Sequence, residues 1–440
     1  MDAQATAKRY LLWVVAISLF MEQLDSTIVN TGIPAMSASL GVTPLSLKAV
    51  VTSYIVALAV CIPISGWMAD RYGTRRVFLS AMALFVLSSI ACGMAVSAEM
   101  LVASRVPQGI AAAMMMPVGR ITIVRTFPKG ELMRAMNFVI VPALLGPLLG
   151  PTIGGLIVHW ASWRDMFIVN VPVGLAALWF GHRHMPDYRA EQRRPLDVRG
   201  LMLFVPGTAL ISWMLEIFGE HSLPPQQAAA LTAVAFALLG AYAWHALRVP
   251  FPLLRLQLFK LRTYRVSVLG GFVTRLGVGG IPFLLPLLYQ LGLGMPAWQS
   301  GLLTMPAALA AMGMKVLSTP LLRRFGFRRV LVVNTVLLGT MISTFSAVSP
   351  DTPLVVIVCM SLMMGLFNSL QFSGMNAMAY ADVNDQDTAM ASTLASTLQQ
   401  LSMSFGLACG SLVMGYWLAG RPQSDPAAVR EALHHTFLTI

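Results

Sequence analysis

Apolar blocks about as long as a bilayer is thick recur down this chain, and they constrain its fold more than any other feature. Inside hydrocarbon every backbone N–H and C=O must find its partner within the protein, so such blocks fold as spanning helices. They lie near 10–33, 49–68, 77–96, 101–121, 136–158, 166–181, 200–218, 228–247, 266–290, 300–321, 329–348, 353–374 and 392–418, thirteen in all. A last stretch, His434 to Ile440, reads as the first turn of a further span. Hydrophobic residues make up 57% of the chain and charged residues 11%. A water-soluble domain carries roughly 25% charged residues, so this chain lacks the polar cover that solubility needs. The expected fold class is an all-α membrane protein. Lys8 and Arg9 precede an apolar run that continues through Glu22 and Asp25 to Pro34 without a small-residue cleavage site, which predicts an uncleaved first span.

The net charge of +12 is distributed by loop. Alternate loops on one side hold 22 Lys and Arg residues, including Arg193 and Arg194, and the loops on the other side hold 4. This asymmetry predicts that the N-terminus and the 182–199 loop are cytoplasmic in a bacterial inner membrane, and it assigns the basic charge to topology rather than to nucleic-acid binding. Cys61, Cys92, Cys359 and Cys409 all sit in apolar stretches without CxxC or His/Cys spacing, so neither a disulfide framework nor a metal site is expected.

The chain repeats itself. Residues 71–77 read RYGTRRV and residues 324–330 read RFGFRRV, an offset of 253. Two six-helix halves separated by an extra helix pair would produce this spacing, with a substrate site where the halves meet. The division expected is an N-terminal half over 1–185, two linker helices with their loops over 186–262, and a C-terminal half over 263–440, incomplete for want of a final helix.

Five segments carry a family likeness. GWMADRYGTRR (66–76), the stretch from Arg105 to Gly109, GPLLGPTIGG (146–155), LDSTIVNTGIP (24–34) and WRDMFIVNVPVG (163–174) together resemble the motifs of the major facilitator superfamily, in particular its drug:proton antiporters with fourteen spans. Pro107 departs from that pattern, and the fourteenth span is not read. The resemblance implies a major-facilitator-type fold of two six-helix halves with two extra central helices, no cofactor, a small-molecule substrate and protons as the transported species, and a monomer in the lipid bilayer. It also implies that the 146–155 segment belongs to an antiporter.

Each motif also has a direct physical reading. Gly66 is expected to let two helices approach closely, and Asp70 to pair with Arg71, Arg75, Arg76 or a nearby helix end, making a gate latch around Gly73. The second copy has Arg323 where the first has Asp70 and so lacks the acid. Gly146, Gly150, Gly154 and Gly155 recur at helical spacing for tight packing, and Pro147 and Pro151 bend the same span. Glu22 and Asp25 are carboxylates three residues apart inside the first span, and Arg105 is a lone cation inside the fourth. Charges at that depth are costly unless paired or functional, which nominates all three for proton coupling. Subtracting the repeat offset places Arg275 at the position of Glu22, which predicts that the two face each other across the halves. Tyr54, Asn368, Gln371 and Asn376, with Arg275, are the expected cavity lining.

Other functions fit less well. No GxxxxGK[ST] motif for an ATP-driven pump is present, and the seven histidines form no HExxH or HxxxH pattern. A secondary efflux transporter of drugs or small organic compounds remains, with export of a specific metabolite, such as an organic acid or metal chelate, as the alternative.

Overall fold

The computed structural model describes residues 3–190, 195–217, 224–384, 387–418 and 420–440, and Arg193 and Arg194 lie outside them. The described residues are helical almost throughout. The elements are α1 (Ala3–Leu40), α2 (Lys48–Tyr72), α3 (Thr74–Gly93), α4 (Ala98–Thr126), α5 (Lys129–Trp160), α6 (Asp165–Ile168), α7 (Asn170–His184), α8 (Val198–Ile217), α9 (Pro225–Ala246), α10 (Arg262–Val278), α11 (Ile281–Leu287), α12 (Ala297–Phe325), α13 (Phe327–Thr344), α14 (Leu354–Ala379), α15 (Thr388–Leu418) and α16 (Pro426–Thr439). Among the described residues, 12 helical stretches are long and apolar enough to cross a membrane. The thirteenth expected span is present as α4, 29 residues long, which Arg105, Gln108 and Arg120 make less apolar than the rest. It is held by neighbours, packing between α2 and α3.

The two copies of the repeat fold alike. Gly73 joins α2 to α3 at φ 99°, and Gly326 joins α12 to α13 at φ 78°. A one-residue corner between antiparallel helices needs this left-handed backbone, which glycine adopts without a Cβ clash.

Three apolar cores organise the bundle. The first joins both halves at the arginine-poor end, where Ile33 and Met36 of α1 and Val50 of α2 share a cluster with Leu284 and Leu287 of α11 and Leu433 of α16. The second lies toward the arginine-rich end and contains only residues up to Met185, among them Val15, Phe78, Phe85 and Val118. The third packs the extra pair, through Phe204 of α8 and Tyr242 of α9, onto α2, α10 and α15. That pair is pinned at its base by Asp197, which accepts hydrogen bonds from Gly200 N at 2.8 Å and Leu253 N at 3.2 Å and lies 2.7 Å from His245 Nε2. Burial works against the charge of Asp197, but these bonds outweigh it and hold the carboxyl below its usual range.

The C-terminal segment differs from expectation. The helix begins at Pro426, eight residues before His434, with the Asp425 carboxylate accepting from Ala427 N at 3.0 Å. Val429, Leu433 and Phe437 recur every four residues and are fully buried, which fixes the helix face. Its charges conceal this periodicity when hydropathy is averaged over a window. At 14 residues α16 is about 21 Å long, short of a roughly 30 Å hydrocarbon core.

Candidate functional site

Five elements of the N-terminal half converge on one buried charge pair. Asp25 on α1 and Arg105 on α4 have side chains 0% and 1% exposed, and Arg105 Nη1 donates to Asp25 Oδ2 at 2.6 Å. Asp25 Oδ1 accepts from Gln108 Nε2 at 3.0 Å and from Asn170 Nδ2 of α7 at 2.8 Å. Arg105 also donates from Nε to the Val50 carbonyl of α2 at 3.1 Å and from Nη1 to Gln108 Oε1 at 2.6 Å. Gln108 completes its bonding by donating to Ser89 Oγ of α3 at 2.8 Å. The Tyr54 ring lies 4.2 Å from the guanidinium carbon. A buried ion pair persists only when its remaining donors and acceptors are also satisfied, and this network satisfies them. Asn170, Ser89 and Gln108 were not among the expected site residues. Gln108 and Asn170 lie inside two of the quoted motifs, one helical turn beyond Arg105 and near the start of α7, and that was the available signal.

Glu22, one turn before Asp25, is bonded differently. Its side chain is buried, and its enclosed Oε2 has no hydrogen-bond partner among the described residues. The Tyr54 hydroxyl and Asn30 Oδ1 are enclosed and unpartnered as well. A carboxylate in such a place is costly as an anion and tolerable as an acid.

Arg275 does not pair with Glu22. It sits on α10 against α14, its guanidinium carbon 5.1 Å from the Phe372 ring, beside a cavity of about 20 Å³ that Thr274, Asn368 and Gln371 also line. Glu22 instead lies close enough to Tyr54 and Asp25 to act electrostatically on both. The repeat offset fixes a residue's height along its helix but not the rotation of that helix, and each of these two side chains faces its own half. The other expected cavity residues divide. Asn368 is exposed in that recess, whereas Gln371 is committed to α13, accepting from Asn334 Nδ2 and donating to Thr335 Oγ1, both at 2.8 Å. Tyr54 is 2% exposed beneath Arg105 and lies outside that recess. Asn376 is half-buried and lies outside the recess.

The gating residues are also redistributed. Asp70 pairs with Arg125 at the end of α4 at 2.8 Å, not with Arg71, Arg75 or Arg76. Arg71 lies over the Trp67 ring, and Arg75 donates from its backbone N to Asp187 Oδ1 at 3.2 Å and from its side chain to the His182 carbonyl. Arg71 is turned to Trp67 and Arg75 to the 182–187 segment, which leaves Asp70 to Arg125 of α4. Gly66 has open space where a Cβ would stand, so it does not mark a close approach. The α5 glycines do. A Cβ on Gly146 would lie 2.6 Å from Gln23 Cβ, and one on Gly154 would lie 2.6 Å from the Ile28 carbonyl oxygen, so the two helices touch backbone to backbone. A Cβ on Gly150 would lie 2.1 Å from Thr27 Oγ1. Gly155 faces the other half, where a Cβ on it would lie 2.3 Å from the Ala297 carbonyl oxygen of α12, while Pro147 and Pro151 lie within α5 without ending it. The C-terminal half has its own seam, missed in the sequence, where Cβ atoms on Gly406 of α15 and Gly279 would lie 2.5 and 2.8 Å from the Arg275 carbonyl oxygen.

A helical bundle with two matching corners and a charged network buried in one half is the architecture of a secondary membrane transporter. The model of the Major Facilitator Superfamily matches residues 15–407, and the chain belongs to that superfamily. Among its curated relatives are proteins named "Putative multidrug resistance protein MdtD". The one from Cronobacter sakazakii is 40% identical over 98% of this chain and 92% of its own length. The one from Serratia proteamaculans is 38% identical over 97% and 89%. Solved structures of similar fold include a bacterial homolog of the human lysosomal transporter Spinster, with TM-score 0.70, 13% identity and coverage of 98% of this chain and 94% of that one. A D-xylose-proton symporter has TM-score 0.66, 13% identity and coverage of 98% and 95%.

Proposed function

We propose that this transporter exports small organic compounds of the multidrug type from the cytoplasm in exchange for protons. The observation that carries the reading is Glu22, whose buried Oε2 has no hydrogen-bond partner among the described residues, one turn from an Asp25 that is fully engaged by Arg105, Gln108 and Asn170. Two acids at one depth thus have separate roles. Asp25 pairs with Arg105 and ties α1 to α4, while Glu22 is the group that loads and releases a proton. The halves 1–185 and 263–440 rock so that the arginine-poor end, closed here by the core they share, opens as the other end closes, and protonation of Glu22 favours one open state over the other. The charge asymmetry of the loops supports an inner-membrane placement with the N-terminus and Ala190 inside. The present geometry is then the inward-facing one. Impermeant thiol labelling of Ala190→Cys on intact cells, in a cysteine-free background, checks this. Labelling from outside would reverse the orientation.

The names of the relatives support drugs as substrates. A second reading, export of an organic anion, is favoured by Arg275, which enters no ion pair among the described residues, and by the lack of any Asp or Glu within the helices α10 to α15. Proteoliposomes with an imposed substrate gradient decide. The expected result is proton release driven by lipophilic cations and lost in Glu22→Gln at unchanged membrane abundance. Release driven only by carboxylates would replace the substrate class, and full coupling in Glu22→Gln would remove the proton assignment.

A further inference from the structure

A second cavity lies away from the charged network, on the outer face of the N-terminal half. It is about 370 Å³ and is roofed by α2 and α3, which diverge over α4. Its walls are apolar along most of their length, from Leu84 on α3 to Ile110 and Met114 on α4. Polar groups occur only toward the arginine-rich end, where Tyr72, Arg76 and Ser80 stand together. Tyr72 is 49% and Leu84 37% exposed, so the groove opens sideways where a bilayer surrounds the bundle. Arg76 is exposed and enters no ion pair or hydrogen bond among the described residues, and no carboxylate lines the groove.

We propose that this groove binds one anionic phospholipid of the cytoplasmic leaflet, with an acyl chain along Leu84, Ile110 and Met114 and the phosphate at Arg76. The dimensions agree. Arg76 to Leu84 spans eight residues of helix, about 12 Å, against about 15 Å for one leaflet of hydrocarbon. The polarity agrees as well. The single free cation stands at the headgroup end, and a guanidinium presents paired donors that match a phosphate. Ser80 and the Tyr72 hydroxyl supply further donors within the same turn of the groove. A soluble anion would have no use for the apolar floor, and an uncharged amphiphile would have none for Arg76.

Native mass spectrometry of the purified full-length chain tests this, with phosphatidylglycerol and phosphatidylcholine of identical acyl chains as probes. The expected result is one tightly retained phosphatidylglycerol, preferred about fivefold over phosphatidylcholine, the factor that one interfacial cation contributes. Arg76→Gln abolishes the preference, Arg76→Lys keeps most of it, and Ser80→Trp, which fills the groove from an exposed position, lowers retention of both lipids. Arg71→Gln, whose side chain lies on Trp67, leaves the preference intact. Glycerol phosphate, the headgroup without chains, does not compete. Equal retention of the two lipids by the wild type, or an unchanged preference in Arg76→Gln, would overturn the proposal. Both positions are exposed, and an unaltered melting temperature verifies that each variant is folded.

Discussion

Asp25 and Glu22 differ by one methylene and one helical turn, yet their surroundings give them opposite tasks. Asp25 has three donors around its two oxygens, and Arg105 has no other carboxylate. Replacing Asp25 by Asn keeps the shape but leaves a buried guanidinium facing a neutral amide. Removing one partner of a buried pair costs roughly 3–5 kcal/mol, and the retained amide oxygen places Asp25→Asn near the low end. The expected outcome is a lowered melting temperature and reduced membrane abundance, with partial recovery on adding Arg105→Gln, since no unpaired charge then remains. Wild-type stability of the single variant would contradict the network's structural role. Sequence reading found both members of this pair, because a charge inside an apolar block is visible in one dimension. It expected Arg105 to hold one of the two acids and left open which, since partnership across helices depends on rotation about each axis. The same blindness produced the expected Glu22–Arg275 contact, in which equal height was mistaken for facing positions.

Close helix contacts are readable from glycine spacing only where the spacing repeats. Gly146, Gly150 and Gly154 recur every four residues, and they form the seam of α5 on α1. Gly66 stands singly and meets nothing, while Gly279 and Gly406 lie far apart in the chain and reveal their shared seam only in three dimensions. These differences predict a graded response to alanine. Gly154→Ala and Gly406→Ala place a methyl against backbone oxygen, which cannot rotate aside, so each should cost about 1–3 kcal/mol as overpacking. Gly66→Ala meets open space and should be neutral or slightly stabilising, because alanine favours helix. Thermal unfolding of the three purified variants checks the order, and a Gly66→Ala protein as unstable as Gly154→Ala would show that the seam is not the cause. The α4 and α16 elements extend the point. Both are poor in average hydropathy and rich in specific contacts, so length and periodicity identify them better than hydrophobicity does.

At the scale of the whole molecule, the two halves touch most tightly between α5 and α12. A Cβ on Gly301 would lie 2.3 Å from the Pro151 carbonyl oxygen and 3.0 Å from Thr152 Cα, and the Thr152 hydroxyl donates to the Gly301 carbonyl at 3.3 Å. Gln290 adds a bond to the Thr31 carbonyl at 2.9 Å, again across the halves at the arginine-poor end. If transport proceeds by rocking, this contact must part in every cycle, because it seals the side opposite the one that is open. The pair Thr152→Cys and Gly301→Cys puts two thiols side by side across the crossing, with the helices shifting slightly to admit the Cβ on position 301 against the Pro151 carbonyl. In the cysteine-free background, oxidation should cross-link the pair readily and lower transport below about a tenth of the reduced activity, with recovery on adding a reductant. The two single variants, oxidised in parallel, separate the effect of the bridge from that of the substitutions, and Gly301→Cys alone is expected to weaken packing at this crossing. Neither Thr152 nor Gly301 lines either of the two described cavities, so substrate binding from the arginine-rich end should survive cross-linking even as turnover stops. A cross-linked protein that still transports at the reduced rate would mean that the α5–α12 contact is a permanent joint, and the opening would then have to be sought at the α2–α15 side, where the extra helix pair packs.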